Sequence, residues 1–212
     1  VPEVRALGVT AALVYAFNHG LAKAGLFLIA GTLRDVLGTT QFGDLGGVAG
    51  RAPVLSAAFL VFALGLVGTP PLAGFLGKLL VFDTGARALG AGGAGAGVVL
   101  ALALAGAILT IAYYTRAWSD GFWGRPSETV RARLPVPRAA TMSEPVPDAA
   151  TDGGRATRAL VVRVSTVVSL AVAAVAFGVG GEALVAAAEG AAHAALDTGG
   201  YVDAVSPSWV LG

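Results

Sequence analysis

The sequence contains no cysteine and few charged residues, and each shortage excludes classes of protein. Without cysteine, the 212-residue chain can form no disulfide, thiolate metal site or cysteine nucleophile. Only 13% of its residues are charged while 56% are hydrophobic, and the mean hydropathy is +0.77. A soluble domain carries roughly a quarter charged residues, so too little polar surface remains here to coat a soluble enzyme. The formal net charge of +1 argues against nucleic-acid binding through bulk electrostatics.

Long stretches without charge predict an integral membrane protein. A bilayer core of ~30 Å needs about 20 apolar residues as a helix, because the backbone must satisfy its own hydrogen bonds there. We therefore expect an all-α membrane protein with about four transmembrane helices. Their expected positions are residues 5–33, 53–82, 88–115 and 158–181.

The second of these helices is expected to be broken in its middle, at Gly68, Thr69, Pro70 and Pro71. Proline removes a backbone donor and crowds the preceding turn, so two prolines in series should open the helix. In a membrane the freed carbonyls are tolerated only where protein or a wet cavity satisfies them. The third helix is expected to open with the glycine-rich run 90–97 and to end in an aromatic interfacial belt. The residues of that belt are Tyr113, Tyr114, Trp118, Phe122 and Trp123.

Two segments are expected to lie outside the bilayer core. Residues 120–157 are rich in proline and scattered charge, which is typical of an exposed, poorly ordered loop. Residues 182–212 are interpreted as a short amphipathic helix and a tail, with Glu182, Glu189 and His193 on the polar side of the helix. Such a helix lies along the interface or packs against a neighbour.

The arginines predict the orientation of the chain. Eight of them lie in residues 116–163, and the loop 34–52, on the same side by alternation, adds two more. The opposite side offers only Arg5 and Arg87. The positive-inside rule then places both loops in the cytoplasm and the C-terminus outside, in a multi-pass protein of the cell membrane.

The chain has only two lysines, Lys23 and Lys78, and both lie inside apolar stretches. Every arginine lies in or beside a predicted loop or span end. Arginine keeps its charge under almost all conditions, whereas a lysine can release its proton in a site with little water. Intramembrane ionisable residues usually face a bundle interior or a water path, so both lysines are candidate proton carriers.

Two further ionisable side chains share a helix face with Lys23. His19 precedes Lys23 by four residues and Tyr15 extends the face by a turn, with Asn18 beside it. The series spans about 12 Å, enough for a hydrogen-bonded water relay, and histidine titrates near neutrality. In the alternative interpretation, Lys23 snorkels to the interface and His19 bonds a backbone carbonyl.

Lys78 lies about two turns beyond the paired prolines. A broken helix exposes carbonyls that can bind water or an ion, and a titratable side chain beside it would complete a gate. Alternatively, Lys78 reaches the headgroups, because only four apolar residues, Leu79–Phe82, follow it. Position alone leaves both interpretations open. No nucleophile–base pair is present, so no catalytic residue, cofactor or metal site is expected.

Two sequence motifs resemble those of proton-pumping antiporter-like subunits. Residues 18–28, NHGLAKAGLFL, resemble the H-x-x-x-K-x-x-L-F-L helix of these subunits in respiratory complex I, membrane-bound hydrogenases and Mrp-type Na+/H+ antiporters. Residues 66–78, LVGTPPLAGFLGK, resemble the G-x-P-P-x-x-G-F-x-x-K stretch on the broken helix of the same family. The similarity covers mainly residues 5–120, and the two motifs occur in the family's order.

The resemblance implies roles for the three basic residues in the spans. It implies that His19 and Lys23 belong to a central hydrophilic axis and that Lys78 is the terminal relay residue near proton exit. Residues 195–205 look most like the tail of the D-type component of Mrp antiporters, a D-P-x-x-Y-I-x-A-V-L pattern. Thr198 replaces the proline of that pattern.

The resemblance also implies that the chain forms only the last part of an antiporter-like helix bundle. The earlier lysine of the family and its partner glutamate have no counterpart here. We therefore expect either a truncated sequence or a separate chain that supplies the rest. Truncation is favoured because Val1 immediately precedes a family-like helix.

Three functions follow from these observations. In the first, the chain is a non-enzymatic subunit of a monovalent cation/proton antiporter. Its partners would be other membrane subunits, the lipid bilayer, protons and Na+ or another monovalent cation. In the second, it is a proton-pumping subunit of complex I or a membrane-bound hydrogenase whose partners do the redox chemistry. In the third, it is a non-transporting structural fragment.

Overall fold

The computed structural model describes residues 2–134 and 152–205. All regular secondary structure in these two ranges is helical, which confirms the expected fold class. In chain order the helices are α1 (Pro2–Leu37), α2 (Phe42–Leu45), α3 (Pro53–Val67), α4 (Ala73–Gly90), α5 (Ala96–Ala117), α6 (Glu128–Arg133), α7 (Asp152–Val179), α8 (Gly181–Leu196) and α9 (Thr198–Val205). A 3-10 turn, Val48–Gly50, precedes α3, and a π-helical turn, Trp118–Phe122, follows α5.

Three helical segments are long and apolar enough to cross a membrane. They are α1, the continuous stretch Ala96–Phe122, and Arg158–Val179 within α7. A fourth candidate is the pair formed by Phe42–Gly50 and α3, which is bent by 108°. The described residues thus contain three or four candidate spans, in agreement with the expectation of about four.

The second expected helix is broken as predicted. It stops at Val67 and resumes as α4 at Ala73, with Gly68 in the left-handed conformation (φ +88°). Both halves run antiparallel to α1. The ring of Phe62 on α3 packs against Gly25, and the backbone of Gly77 on α4 packs against Tyr15. The two halves therefore pair with successive parts of one long helix.

The boundary between the second and third helices differs from expectation. We expected a helix at 53–82 and the next at 88–115, but α4 continues to Gly90 and α5 begins only at Ala96. The glycine-rich run therefore forms the connecting turn, with Gly92 in the left-handed conformation (φ +80°), and not the first turn of α5. Glycine is a poor helix former, which explains the change.

Part of the expected proline-rich loop is folded. Ser127 caps α6 by accepting a hydrogen bond on Oγ from the Val130 N–H at 3.1 Å, and Val130 is completely buried. The interpretation of 120–157 as a poorly ordered loop is therefore wrong for its first part. Ser127 followed by Glu128 is a helix-start signal that the proline content obscured. Residues 135–151 lie outside the described part, and α7 begins at Asp152.

The connections at one end of the bundle form a layer, called here the cap (residues 38–52 and 118–134). The Gly47 N–H donates to the Trp123 carbonyl at 3.2 Å, and the Ser127 N–H donates to the Gly46 carbonyl at 2.9 Å. Gly47 has a φ of +72°, and a Cβ there would overlap the backbone of Pro126. The α1–α3 and α5–α7 connections therefore lie at the same end of the bundle.

The aromatic residues at the end of α5 do not form the simple belt that we expected. Phe59 of α3 stacks on Phe122 with ring centroids 4.1 Å apart, and it also meets Tyr114 and Trp118. Tyr114 and Phe122 are buried, while Trp123 remains 66% exposed. Most of these rings hold the cap onto the bundle because α3 supplies a matching ring.

The C-terminal helices pack near the first helix. α8 lies against α1, and the small residues Gly181, Ala188 and Ala192 are its buried ones. Its exposed residues include Glu182, Glu189 and His193. Where a tail was expected, α9 follows after Asp197, whose carboxylate accepts a hydrogen bond from the Gly200 N–H at 3.0 Å. Residues 206–212 lie outside the described part.

The contact between α1 and α3 should be sensitive to added volume. Substituting Gly25→Ala would force a methyl group into the ring of Phe62, which is fully buried. Overpacking costs typically about 1–3 kcal/mol, so the melting temperature of the purified membrane assembly should fall. Gly31→Ala is the matched control, since no described atom beyond its chain neighbours and the adjacent turns of its own helix lies within 4 Å of its Cβ position. Equal melting temperatures for the two variants would contradict this packing.

Candidate functional site

The ionisable side chains in the middle of α1 lie on one face, as their spacing predicts. α1 is continuous from Pro2 to Leu37, so Tyr15, His19 and Lys23 follow one another by a turn. The rings of Tyr15 and His19 stack with centroids 5.7 Å apart and an interplanar angle of 20°. The stacking fixes the histidine ring beside the tyrosine.

A cavity of about 280 Å³ opens beside this face, between α1 and α5. Its lining residues are Tyr15, His19, Lys23, Leu66, Leu109, Thr110, Tyr113 and Tyr114. We call it the histidine cavity. It brings the imidazole and one lysine of the predicted site together in one space.

The break between α3 and α4 leaves backbone carbonyls without helical partners. Pro70 and Pro71 have no N–H, so neither can donate to the carbonyls of Leu66 and Val67. The Lys78 ammonium donates to the Val67 carbonyl at 2.7 Å instead. Lys78 is therefore bound to the broken helix itself. The structure does not support the alternative interpretation, in which Lys78 reaches the lipid headgroups.

The glycine at the break makes room for this lysine. A Cβ on Gly68 would lie 2.8 Å from the Lys78 Cδ, and the backbone there has a φ of +88°. Thr69 forms part of the same turn, because its N–H donates to the Leu64 carbonyl at 3.0 Å. All four residues expected at the break therefore lie in the non-helical segment between α3 and α4.

Asn18 supports the break and does not line the histidine cavity. Its Nδ2 donates to the Gly65 carbonyl at 3.3 Å, and the side chain is buried. The Thr69 N–H, which would serve Gly65 in a regular helix, donates to Leu64. The amide of Asn18 replaces it, so its contact fastens α1 to the end of α3.

Lys78 lines a second cavity of about 380 Å³, called here the lysine cavity. The other lining residues are Tyr15, Val81, Phe82, Leu102, Ala103, Gly106, Ala107 and Thr110. Lys78 thus does not share a cavity with His19 and Lys23. The two cavities have Tyr15 and Thr110 in common.

A third cavity, of about 230 Å³, continues from Lys23 towards the cap. It reaches Thr40 and Phe42 and is lined almost entirely by apolar side chains. Tyr113 and Tyr114 line both this cavity and the histidine cavity. The three cavities therefore follow the α1–α5 side of the bundle from Lys78 to the cap.

The lining residues limit the chemistry of the site. Among the residues that the structure describes, no carboxylate or arginine lines any of the three cavities, and their ionisable groups are tyrosines, one histidine and two lysines. Within the described ranges no three histidine or acidic residues come close enough to hold a metal ion. Such a set of groups can accept and release protons.

The site residues that sequence reasoning missed include two on successive turns of α5. Thr110 and Tyr114 on α5 line the histidine cavity, and Tyr114 was taken for an interfacial anchor. A signal for both exists, since Gly106, Thr110 and Tyr114 are spaced by four on an otherwise apolar helix. The spacing alone does not predict which helix lies opposite these residues.

Comparison with known proteins identifies relatives of the chain. The family described as NADH:quinone oxidoreductase/Mrp antiporter, TM matches residues 4–104. The D component of the Na(+)/H(+) antiporter of Bacillus subtilis (strain 168) is 31% identical over 118 residues, which are 56% of this chain and 23% of that protein. The M component of the NADH-quinone oxidoreductase of Rickettsia conorii (strain ATCC VR-613 / Malish 7) is 44% identical over 73 residues, 34% of this chain and 15% of that protein.

A solved structure, that of the Mrp complex from Dietzia sp. DQ12-45-1b, superposes with a TM-score of 0.71 at 30% identity. The match covers 94% of this chain and 40% of that one. The chain thus spans well under half the length of these relatives. The matched residues 4–104 contain His19, Lys23, the helix break and Lys78. Through this segment, the chain is similar to the antiporter-like membrane subunits shared by Mrp antiporters and NADH:quinone oxidoreductases.

Proposed function

We propose that the chain is a membrane subunit of a monovalent cation/proton antiporter and that protons move through His19, Lys23 and Lys78. The observation that best supports this proposal is the pair of adjoining cavities, one lined by His19 and Lys23 and the other by Lys78. The similarity to D components of Na(+)/H(+) antiporters supports the transported ions. The chain acts as a transporter subunit and not as an enzyme.

The contact of Lys78 with the broken helix is compatible with a side chain that gains and loses a proton. An amine carries N–H donors in both its protonated and its neutral form. The bond from Nζ to the Val67 carbonyl can therefore hold the side chain in place in both states. The other N–H groups of Nζ, and its lone pair in the neutral amine, can exchange a proton in the lysine cavity. A guanidinium could not take this role, because it does not release its proton at ordinary pH.

We further propose the orientation in the cell membrane, with loops 34–52 and 116–163 in the cytoplasm and the C-terminus outside. The hydrogen bonds within the cap support a common side for the two loops. The arginines of these loops support the cytoplasmic side. Other membrane subunits of a hetero-oligomeric complex would complete the bundle, as the similarity to a chain of the Mrp complex suggests.

A second candidate function is proton pumping within an NADH-quinone oxidoreductase. The relative from Rickettsia conorii, 44% identical over 73 residues, favours it. The relay residues would act in the same way, and other subunits would supply the redox chemistry. Transport assays in membrane vesicles distinguish the two functions. An antiporter dissipates a pH gradient when Na+ is added, whereas the pump acidifies vesicles only while NADH is oxidised. A structural fragment without transport would do neither.

Substitution of the relay residues tests the proposed function. In vesicles containing the complete complex, Lys78→Arg should abolish transport as fully as Lys78→Ala, because a fixed charge cannot release its proton. His19→Gln should allow assembly but slow turnover and shift its pH dependence. Arg87→Ala is the control on the same helix, since Arg87 is exposed and pairs with Asp83 outside the cavities. Robust transport by Lys78→Arg would contradict a proton relay.

The glycine beside Lys78 provides a test of its position. A methyl group in Gly68→Ala would displace Lys78 and strain the backbone, so we expect at least a tenfold loss of transport. Gly38→Ala is the matched control. Gly38 has a similar φ of +77°, but no described atom beyond its chain neighbours lies within 4 Å of its Cβ position. If both variants lose transport equally, backbone strain and not the displaced lysine is responsible.

The proposed orientation can be measured with single cysteines, because the chain contains none. A cysteine at the exposed Ala132 of α6 should react with an impermeant maleimide only from the cytoplasmic side. A cysteine at Thr198, at the start of α9, should react only from outside. The reverse pattern would invert the proposed orientation, and labelling of both from one side would contradict the number of crossings between them.

A further inference from the structure

We propose that the Thr110 hydroxyl, together with the Tyr15 hydroxyl, forms the proton-conducting junction between Lys78 and His19. The inference rests on the proposed relay and assigns a role to a residue of α5 outside both sequence motifs. Of all the described residues that line the histidine and lysine cavities, Tyr15 and Thr110 are the two that line both. The junction thus consists of one side chain from α1 and one from α5.

Both residues are held at the junction by neighbouring groups. The backbone of Tyr15 packs against Gly77, the residue before Lys78, and its ring stacks on His19. The Thr110 Oγ1 donates to the Gly106 carbonyl at 2.7 Å, and Gly106 lines the lysine cavity. Tyr15 therefore contacts the surroundings of both relay groups, while Thr110 is bonded to Gly106, another residue of the lysine cavity wall.

The chemistry of the other wall residues makes the two hydroxyls necessary. Apart from Lys78, Tyr15 and Thr110, the lysine cavity is lined by aliphatic, aromatic and glycine residues. A chain of water needs polar partners to be held in such a space. Among the described residues, these two hydroxyls are the side-chain donors and acceptors that line both the lysine cavity and the histidine cavity. Each can accept a hydrogen bond while it donates another.

Proton transfer through such a junction is balanced at every step. A proton leaves the Lys78 ammonium, which becomes an amine. Each hydroxyl or water in the chain accepts one proton on its oxygen and releases its own to the next acceptor. The His19 imidazole takes up the last proton and becomes imidazolium, and the reverse sequence returns the proton. The Thr110 O–H has to turn from the Gly106 carbonyl into the chain during this transfer.

Isosteric substitution tests the role of Thr110 in vesicles containing the complete complex. Thr110→Val keeps the shape and removes the hydroxyl, so the transport rate should fall about tenfold or more at normal abundance. Thr110→Ser keeps the hydroxyl and should restore the rate to within about twofold of the original. Tyr15→Phe should slow transport in the same way. Thr84→Val is the matched control, since Thr84 donates to the Leu80 carbonyl at the same 2.7 Å outside the cavities.

The outcomes separate this inference from the proposed function. If Thr110→Val transports at the original rate while Lys78→Ala does not transport, the junction is wrong and the relay stands. If valine and serine at position 110 lower the rate equally, the residue serves packing and the inference is overturned. If Lys78→Ala itself transports normally, the proposed function fails. The expected pattern is a loss with valine, rescue by serine and no effect of Thr84→Val.

Discussion

The arrangement of the site depends on backbone carbonyls that the break between α3 and α4 leaves without helical donors. In a membrane such carbonyls cannot rely on bulk water, and an unsatisfied buried polar group costs a few kcal/mol. The side chains of Lys78 and Asn18 supply the missing donors to Val67 and Gly65. One of these donors is a titratable group, and the other joins the break to α1. The irregular backbone and the proposed proton carrier are therefore parts of one hydrogen-bonded unit.

Close helix contacts enclose this unit on its other sides. A Cβ on Gly74 would overlap the Gly65 carbonyl, and a Cβ on Gly178 of α7 would overlap the backbone of Pro71 and Leu72. Glycine lets these backbones approach within a distance that any side chain would prevent. The break is thus surrounded by α1, α4 and α7, and the lysine cavity lies on the remaining side, towards α5. Packing by small residues therefore determines on which side the opened helix meets the lysine cavity.

Sequence periodicity predicts what lies within one helix, and proline predicts where a helix stops. The shared face of Tyr15, His19 and Lys23 follows from a spacing of four, and the break follows from Pro70 and Pro71. The partners across helices could not be predicted in this way. Thr110 lines the same cavities as Tyr15 only because α5 packs against α3 and α4, and Asn18 bonds Gly65 only because α3 ends there. Within the cap, Ser127 begins α6 because buried contacts outweigh a proline-rich composition.

Two hydrogen bonds between main-chain atoms help to join the connections of the cap, and this has a consequence for how its sequence can vary. Hydrogen bonds from the Gly47 and Ser127 N–H groups to the carbonyls of Trp123 and Gly46 do not depend on side-chain identity. Most exposed residues of these two connections can accordingly be substituted without breaking these main-chain bonds. Gly47 cannot, because its left-handed backbone and its contact with Pro126 both exclude a side chain. Sequence change in the cap is therefore restricted at Gly47 and at the two side chains that bridge the connections, Ser127 to the Asp44 carbonyl and Arg51 to the Leu134 carbonyl.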